Sequence, residues 1–70
     1  METNETTKNL ILFFKNNNIR VHIEKIDTRF YNGIILEFKD NLLILDDEVL
    51  GKIPIYLVEI KYIDKRREKE

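Results

Sequence analysis

The hydrophobic residues of the chain are densest over residues 30–47, where two apolar runs flank a short polar segment. The runs consist mainly of Ile, Leu, Phe and Tyr, and the polar segment is Lys39-Asp40-Asn41, whose last two residues are frequent in turns. Apolar runs bounded by Asp and Asn predict a β-hairpin. Because two strands alone are marginal in water, the rest of the chain must cover or extend this hairpin.

The segment before the hairpin has the spacing of a helix. Phe13 and Phe14 follow Leu10 at the i+3 and i+4 positions, which places the three side chains on one helix face. Threonines able to cap a helix precede this stripe, and consecutive asparagines from Asn16 onward end it. The pattern predicts a short helix over residues 6–16. A strand is the alternative, because two adjacent phenylalanines also suit a sheet.

After this segment apolar residues recur at every second position, which is the spacing of a strand. Apolar and polar residues alternate from Ile19 to Glu24, which predicts a half-buried strand. The alternation slips at Lys25-Ile26, where we expect a bulge. Both faces of the next strand are apolar around Gly33, and a glycine within a strand favours a strong bend.

The last part of the chain predicts two more strands and a charged tail. Asp46-Asp47-Glu48 indicates an acidic turn after the hairpin. Pro54 lies in the fourth apolar run and favours an edge strand, because proline has no N–H to donate. A tight turn at Leu57-Val58 leads into the last strand, which ends near Ile63, and residues 64–70 are mainly charged.

One helix followed by five short strands predicts a mainly β fold, in which a short N-terminal helix precedes a five-stranded, strongly bent antiparallel small barrel. The length allows one domain, 1–70, with the barrel over residues 19–63. The chain has no Cys for a disulfide or a thiolate metal site. Its eleven Ile and eight Leu favour a dense apolar core and leave self-association open. Closure of the barrel would remove most exposed strand edges.

Charge and hydropathy exclude several classes of function. At a net charge of −1 the whole-molecule field does not attract nucleic acid, so nucleic-acid binding requires a local patch or contacts to bases and backbone. No apolar stretch reaches the length of a membrane span, and the acidic N-terminal residues do not fit a signal peptide. We therefore expect a cytoplasmic protein with no membrane contact.

Catalysis has little support in the composition. The chain has no Ser or Cys nucleophile, a single His and no phosphate-binding Gly loop. We predict no catalytic residue, no metal ligand, no cofactor and no small-molecule substrate. His22, on the polar phase of the first strand, is expected to have a solvated or cross-strand role.

Residues 19–63 resemble the Sm-like (Lsm/Hfq-type) family. The first motif of that family has Gly, an apolar residue two positions later, an aromatic or apolar residue, and then Asn-Leu-x-Leu. Gly33, Ile35 and Phe38 follow the first part of this pattern, and residues 41–45 follow the second. Lys39 stands where the family has Asp, and the adjacent Asp40 is a candidate substitute.

The second motif of the family is more divergent here. Tyr56 matches the bacterial Tyr-Lys-His-Ala-Ile segment, but Leu57 and Val58 replace its Lys-His pair. The archaeal and eukaryotic Ile-Arg-Gly version is also absent. In the family these positions help hold a uridine at the inner rim of a ring.

The resemblance implies an N-terminal helix, five bent strands and a non-catalytic RNA chaperone or scaffold that binds single-stranded RNA. It implies a homo-oligomeric ring, in which the fourth strand of one subunit, about 52–57, pairs with the fifth strand of the next, about 59–63. The RNA-binding residues that it implies are Lys39, Asp40, Asn41 and Tyr56. In this assignment Asn41 bonds a base edge and Lys39 approaches a phosphate.

Each of these features has an ordinary structural alternative. The turn at Lys39-Asp40-Asn41 is built from preferred turn residues, so it needs no ligand to explain it. Aromatic strand residues offer stacking surfaces but are frequent in cores; here they are Tyr31, Phe38, Tyr56 and Tyr62. Basic residues 65–67 are flanked by acidic ones, which favours a solvated tail.

Two other functions stay open beside RNA binding. A small-barrel module for protein interaction or self-association fits the near-neutral charge and the missing uridine residues. A DNA-binding small barrel is a weaker option, because it would need more Lys and Arg than this chain has.

Overall fold

The computed structural model describes residues 4–66, with side chains from residue 5 onward. A helix is followed by five strands, which confirms the predicted mainly β fold and the helical assignment of the first segment. The elements are α1 (Asn4–Asn16), β1 (Val21–Lys25), β2 (Phe30–Lys39), β3 (Leu42–Asp47), β4 (Gly51–Tyr56) and β5 (Ile60–Lys65). A single 3₁₀ turn, Leu57–Glu59, occupies the place of the tight turn expected between the last two strands.

Two element boundaries differ from those that the sequence predicts. The helix begins at Asn4, two residues before the predicted start, and β5 continues through Lys65, into the segment expected to be a charged tail. The remainder of that predicted tail, residues 67–70, lies outside the described residues. Among residues 4–66, no helix is long and apolar enough to cross a membrane.

Two backbone hydrogen bonds end helix α1. Asn18 has a φ of +53°, the left-handed conformation that asparagine tolerates. Its N–H donates to the Lys15 carbonyl, and the N–H of Ile19 donates to the Phe14 carbonyl, both within 3.2 Å. These two hydrogen bonds form a Schellman motif, so the consecutive asparagines end the helix as the sequence predicted.

The strands form one antiparallel sheet in the order β4-β3-β2-β1-β5. The helix packs on one face of this sheet and supplies two buried side chains to the core. The core side chains are Ile11, Phe14, Val21, Ile23, Ile35, Leu43, Leu45, Ile55, Leu57 and Ile63. Burial of each large aliphatic side chain contributes about 1.5–3 kcal/mol, so this core dominates the stability of the fold.

Irregular pairing bends the sheet at two places. The β2–β3 register shifts between Ile35 and Glu37, and the β1–β5 register shifts between Glu24 and Lys25, next to the bulge predicted from the sequence. Such bulges bend a strand and increase its twist. Gly33 lies two residues before the β2 shift, and a Cβ atom there would collide with the backbone oxygen of Asp46.

The sheet is strongly bent but not closed within one chain. Among residues 4–66, no strand pairs with the outer side of β4 or of β5, so the expected closure of the barrel is not achieved by this chain alone.

The free edge of β4 contains Pro54. The Leu57 N–H donates to the Asn41 carbonyl at 2.8 Å, which shows that the odd-numbered residues of β4 are the ones that hydrogen-bond to β3. Along a strand, the backbone N–H and C=O groups point alternately to one side and the other, so those of Lys52, Pro54 and Tyr56 point to the free edge of β4. Because proline has no N–H, this edge has one donor fewer at Pro54.

Candidate nucleic-acid interface

The turn between β2 and β3 has two residues, Asp40 and Asn41, with φ values of +53° and +65°. Positive φ at both positions is typical of the type I′ turn, whose twist matches that of the flanking strands. Asp and Asn are among the few residues besides Gly that tolerate this conformation. Both side chains, and that of the preceding Lys39, are exposed.

Tyr56 lies beside this turn, at the end of β4. Lys39 pairs with Leu42, and Leu42 pairs with Tyr56, so the three residues form one row across three strands on the face away from the core. The hydrogen bond from Leu57 N–H to the Asn41 carbonyl joins the turn to the end of β4. The structure therefore brings Lys39, Asn41 and Tyr56 together, with Asp40 at the tip of the turn.

This row is a largely exposed strip on the outer face of the sheet. Two strand spacings of about 4.8 Å place the backbones of Lys39 and Tyr56 roughly 10 Å apart, with Leu42 between them. The Tyr56 side chain is 53% exposed, so its ring is available for stacking. A cation, an amide with both donor and acceptor atoms, and an aromatic ring suit contact with a nucleotide.

The other aromatic candidates lie elsewhere. Phe38 and Tyr31 are half buried and pack against the core, and the Lys25 ammonium lies 5.9 Å from the centre of the Tyr31 ring. Tyr62 is half exposed on β5 and donates its hydroxyl hydrogen to Asp64 at 3.1 Å. None of the three belongs to the row that contains Tyr56.

His22 makes cross-strand contacts on the outer face of the sheet. Its Nδ1 atom lies 2.8 Å from the Asn32 side-chain oxygen, and its ring contacts those of Phe30 and Tyr62 at centroid distances of 5.5 and 6.5 Å. Within residues 4–66, no group of three or more His, Cys, Asp or Glu side chains is arranged to hold a metal ion.

The acidic turn after β3 contains a buried carboxylate, where the sequence predicts a solvated turn. Asp47 is only 8% exposed and accepts hydrogen bonds from the backbone N–H groups of Asn32, Val49 and Leu50 at 2.9–3.2 Å. Burial opposes ionisation, but these hydrogen bonds outweigh it and hold the pKa of Asp47 below its ordinary value of 3.8. An Asp that begins a short turn was the available signal, since its side chain can bond the turn's own N–H groups.

The neighbouring Glu48 binds two arginines. Its Oε2 atom accepts hydrogen bonds from Arg20 Nη1 at 2.8 Å and from Arg66 Nη1 at 3.0 Å. Arg66 belongs to the stretch that the sequence predicted to be a solvated tail, so this contact was not anticipated either.

Comparison with known proteins finds a structural match but no match in sequence. No protein-family model matches the chain, and no curated protein matches it in sequence. A solved structure does match: the crystal structure of Hfq, a pleiotropic translational regulator, has a TM-score of 0.74 and 19% sequence identity, and the match covers 83% of this chain and 95% of that one. The fold is the Sm-like fold.

The resemblance seen in the sequence is thus confirmed at the level of the fold. The structure gives a reason for the motif glycine, because a Cβ atom at residue 33 would collide with the Asp46 backbone on β3. It does not assign an RNA contact to any residue. For Lys39, Asp40, Asn41 and Tyr56, RNA contact stays a prediction.

Proposed function

We propose that this protein is a non-catalytic RNA-binding protein that acts in the cytoplasm as a chaperone or scaffold for single-stranded RNA. The observation that carries the proposal is the junction between the β2–β3 turn and the end of β4. It joins Lys39, Asn41 and Tyr56 on a fold similar to that of a translational regulator.

Each residue of the junction has a distinct role in this proposal. The Tyr56 ring stacks on a base, an interaction worth about 1–3 kcal/mol per base. Asn41 bonds the edge of that base, and Lys39 neutralises a phosphate. Asp40 accepts a hydrogen bond from a base amino group, because an ionised carboxylate can accept hydrogen bonds but cannot donate them.

We further propose that the protein assembles as a homo-oligomeric ring. Within residues 4–66 both β4 and β5 have one unpaired side, and such edges pair readily with other strands. Pairing of β4 in one copy with β5 in the next is a head-to-tail contact, which closes into a ring when the rotation between copies permits. The junction at the end of β4 would then repeat around the ring.

Fluorescence anisotropy with short U-rich and A-rich RNAs, at low and moderate salt, tests RNA binding. Tyr56→Leu keeps an apolar side chain but removes the ring, and we expect it to weaken binding about tenfold or more. Lys39→Gln should make the slope of log affinity against log salt less steep by about 0.7 for each Lys39 that contacts a phosphate.

Lys52→Gln is the matched control for Lys39→Gln. Both lysines are exposed on the outer face of the sheet and both substitutions remove one positive charge, but Lys52 lies opposite Asp46, away from the turn. Equal effects of the two substitutions, or the absence of binding at tens of micromolar protein, would contradict the proposed site.

Light scattering over a range of concentrations tests the ring. Pro54→Val restores a donor at the free edge of β4, and one net hydrogen bond of about 0.5–1.5 kcal/mol should lower the concentration needed for assembly severalfold. Lys52→Val is the control, because residue 52 already presents an N–H to this edge. A protein that stays monomeric at micromolar concentration in all variants would rule out the ring.

One observation favours a protein-interaction module as the second candidate function. Many large apolar side chains are exposed, and those most exposed are Val49, Val58, Ile26, Leu50 and Phe30. Phe30, Val49 and Leu50 border one cavity, and a contiguous apolar patch of this kind is typical of contact with protein. Salt-independent self-association without RNA binding would support this second function and exclude the first.

A further inference from the structure

The side chains of Arg20 and Arg66 are held next to each other by the backbone. The N–H of Arg66 donates to the Arg20 carbonyl at 2.9 Å, which extends the antiparallel pairing of β1 and β5 by one residue pair. Residues opposite each other in such a pair project their side chains to the same face. The two guanidinium groups therefore leave neighbouring strands side by side.

Both guanidinium groups are directed at one point. Arg20 Nη1 and Arg66 Nη1 lie 2.8 and 3.0 Å from the same atom, Oε2 of Glu48. The backbone of Glu48 is itself fixed, because its N–H donates to the Asn32 carbonyl at 2.9 Å. A single carboxylate oxygen thus serves two arginine donors.

Basic side chains border one cavity beside the two arginines. This cavity, of about 260 Å³, is bordered by Ile19, Arg20, Lys65 and Arg66, and no carboxylate is among these residues. Carboxylates lie on the neighbouring surface, where Asp46 and Glu48 border a second cavity with Arg20, and Asp64 borders a third with Lys65 and Arg66. An anion in the first cavity would therefore meet three cationic groups and no carboxylate of its lining.

We propose that Arg20 and Arg66 form a phosphate-binding site in which the Glu48 carboxylate occupies the place of the phosphate. A phosphate group offers each guanidinium its own oxygen, whereas Glu48 offers both the same one. Both ion pairs are solvent-exposed, with Arg20 and Arg66 side chains 52% and 37% exposed, and exposed pairs are weak enough to exchange.

This site is separate from the junction that contains Tyr56. The two lie beyond opposite ends of β3, a strand of six residues, so roughly 15–20 Å separates them along the sheet. The phosphate site can therefore exist whether or not the junction binds RNA. The phosphate is either part of a nucleic-acid backbone or a free inorganic anion.

Nuclear magnetic resonance of the arginine Nε–Hε groups tests the site directly. We expect the Arg20 and Arg66 signals to shift on titration of the whole protein with inorganic phosphate or with a short single-stranded RNA. Shifts with phosphate alone would assign the site to small anions, and shifts with RNA would assign it to the backbone. No shift with either ligand would overturn the proposal.

Glu48→Gln and Glu37→Gln form a matched pair of variants. Each replaces a glutamate by glutamine and removes one negative charge, but Glu48 contacts the arginines, whereas Glu37 is exposed toward the other end of β2. Glu48→Gln should tighten phosphate binding about three- to tenfold, whereas Glu37→Gln should change it by less than about twofold. Equal tightening in both variants would indicate a general charge effect and would contradict the site.

Two further variants separate this site from the proposed function. Arg20→Gln and Arg66→Gln should each abolish the shift of the remaining arginine, and Tyr56→Leu should leave the shifts of both arginines unchanged. Loss of the arginine shifts in Tyr56→Leu would show that one ligand spans both regions, and would overturn an independent site. The backbone amide spectrum confirms that each variant is folded. The titration of the unaltered protein tests the site even if a variant does not fold.

Discussion

The two turns at the ends of β3 are built in different ways. The β2–β3 turn reverses the chain with the backbone angles of Asp40 and Asn41, and it leaves both side chains exposed. The β3–β4 turn depends on a buried side chain, because Asp47 accepts N–H groups from Val49 and Leu50 and also from Asn32 on β2.

This difference separates stability from function within one small sheet. A turn fixed by its backbone leaves its side chains free to contact a ligand, and substitutions there have small effects on folding provided that positive φ is tolerated. A turn fixed by a buried carboxylate does not tolerate substitution of that residue, because each backbone N–H that loses its acceptor is left unsatisfied. Substitutions at the β3–β4 turn should therefore cost more stability than substitutions at the β2–β3 turn.

Gly33→Ala should have the largest effect on stability. Gly33 is paired with Asp47, and a Cβ atom at residue 33 would lie 2.1 Å from the Asp46 backbone oxygen, so the two strands must separate. We expect a loss of about 3 kcal/mol or more in the free energy of unfolding, measured by urea denaturation.

Gly51→Ala is the control, because Gly51 pairs with Asp47 from the other side. A Cβ atom there meets open space, and only its φ of +83° is unfavourable. The cost should be about 1–2 kcal/mol, and Gly51→Asn should recover part of it. A Gly33→Ala protein as stable as Gly51→Ala would show that the strands at Gly33 are not in fixed contact.

Asp47→Asn should have the next largest effect. The amide has one acceptor oxygen in place of two and directs an NH₂ group at backbone donors, so at least one of the three hydrogen bonds is lost. We expect a loss of about 1–3 kcal/mol at neutral pH. Asp46→Asn, at the exposed neighbouring position, should change the unfolding free energy by less than about 0.5 kcal/mol.

The same carboxylate predicts how stability depends on pH. The pKa of Asp47 is lower in the folded protein than its ordinary value of 3.8, so its ionisation stabilises the fold above that pH. This contribution is lost as the pH falls below 3.8 and through the folded pKa. Urea denaturation below pH 4 should therefore show a steeper decline for the unaltered protein than for Asp47→Asn, and parallel profiles would contradict the assignment.

The secondary structure could be predicted because its signals are local. The i+3 and i+4 spacing of Phe13 and Phe14 from Leu10 and the alternation after Ile19 are properties of neighbouring residues, and so is the Asp40-Asn41 turn. The fold class followed from the order of these elements. Closure of the sheet did not, because the outer edges of β4 and β5 have no partner strand in the described part of the chain.

The position of Asp47 at the start of a turn indicated bonds to the turn's own N–H groups, but the burial of its carboxylate could not be predicted from its neighbours. Asp47 belongs to a run of three acidic residues, which by itself indicates a solvated turn. Its burial depends on Asn32, fifteen residues earlier, whose N–H reaches the carboxylate only after β2 and β3 pair. The same holds for Glu48, whose arginine partners come from opposite ends of the chain. Adjacency of the β2–β3 turn and Tyr56 came from the family resemblance and not from local pattern.

Asn41→Gly should have the smallest effect on stability and isolates the function of the first turn. Glycine accepts the φ of +65° without strain, and Asp-Gly is a preferred pair for this turn type. The unfolding free energy should change by less than about 0.5 kcal/mol, because the Asn41 carbonyl still accepts the Leu57 N–H. RNA affinity, measured by anisotropy, should nevertheless fall several-fold, since the side chain that would bond a base edge is gone. A variant that binds RNA unchanged would reduce the turn to a structural element, whereas one that loses stability would show that its side chain, like that of Asp47, helps to hold the fold.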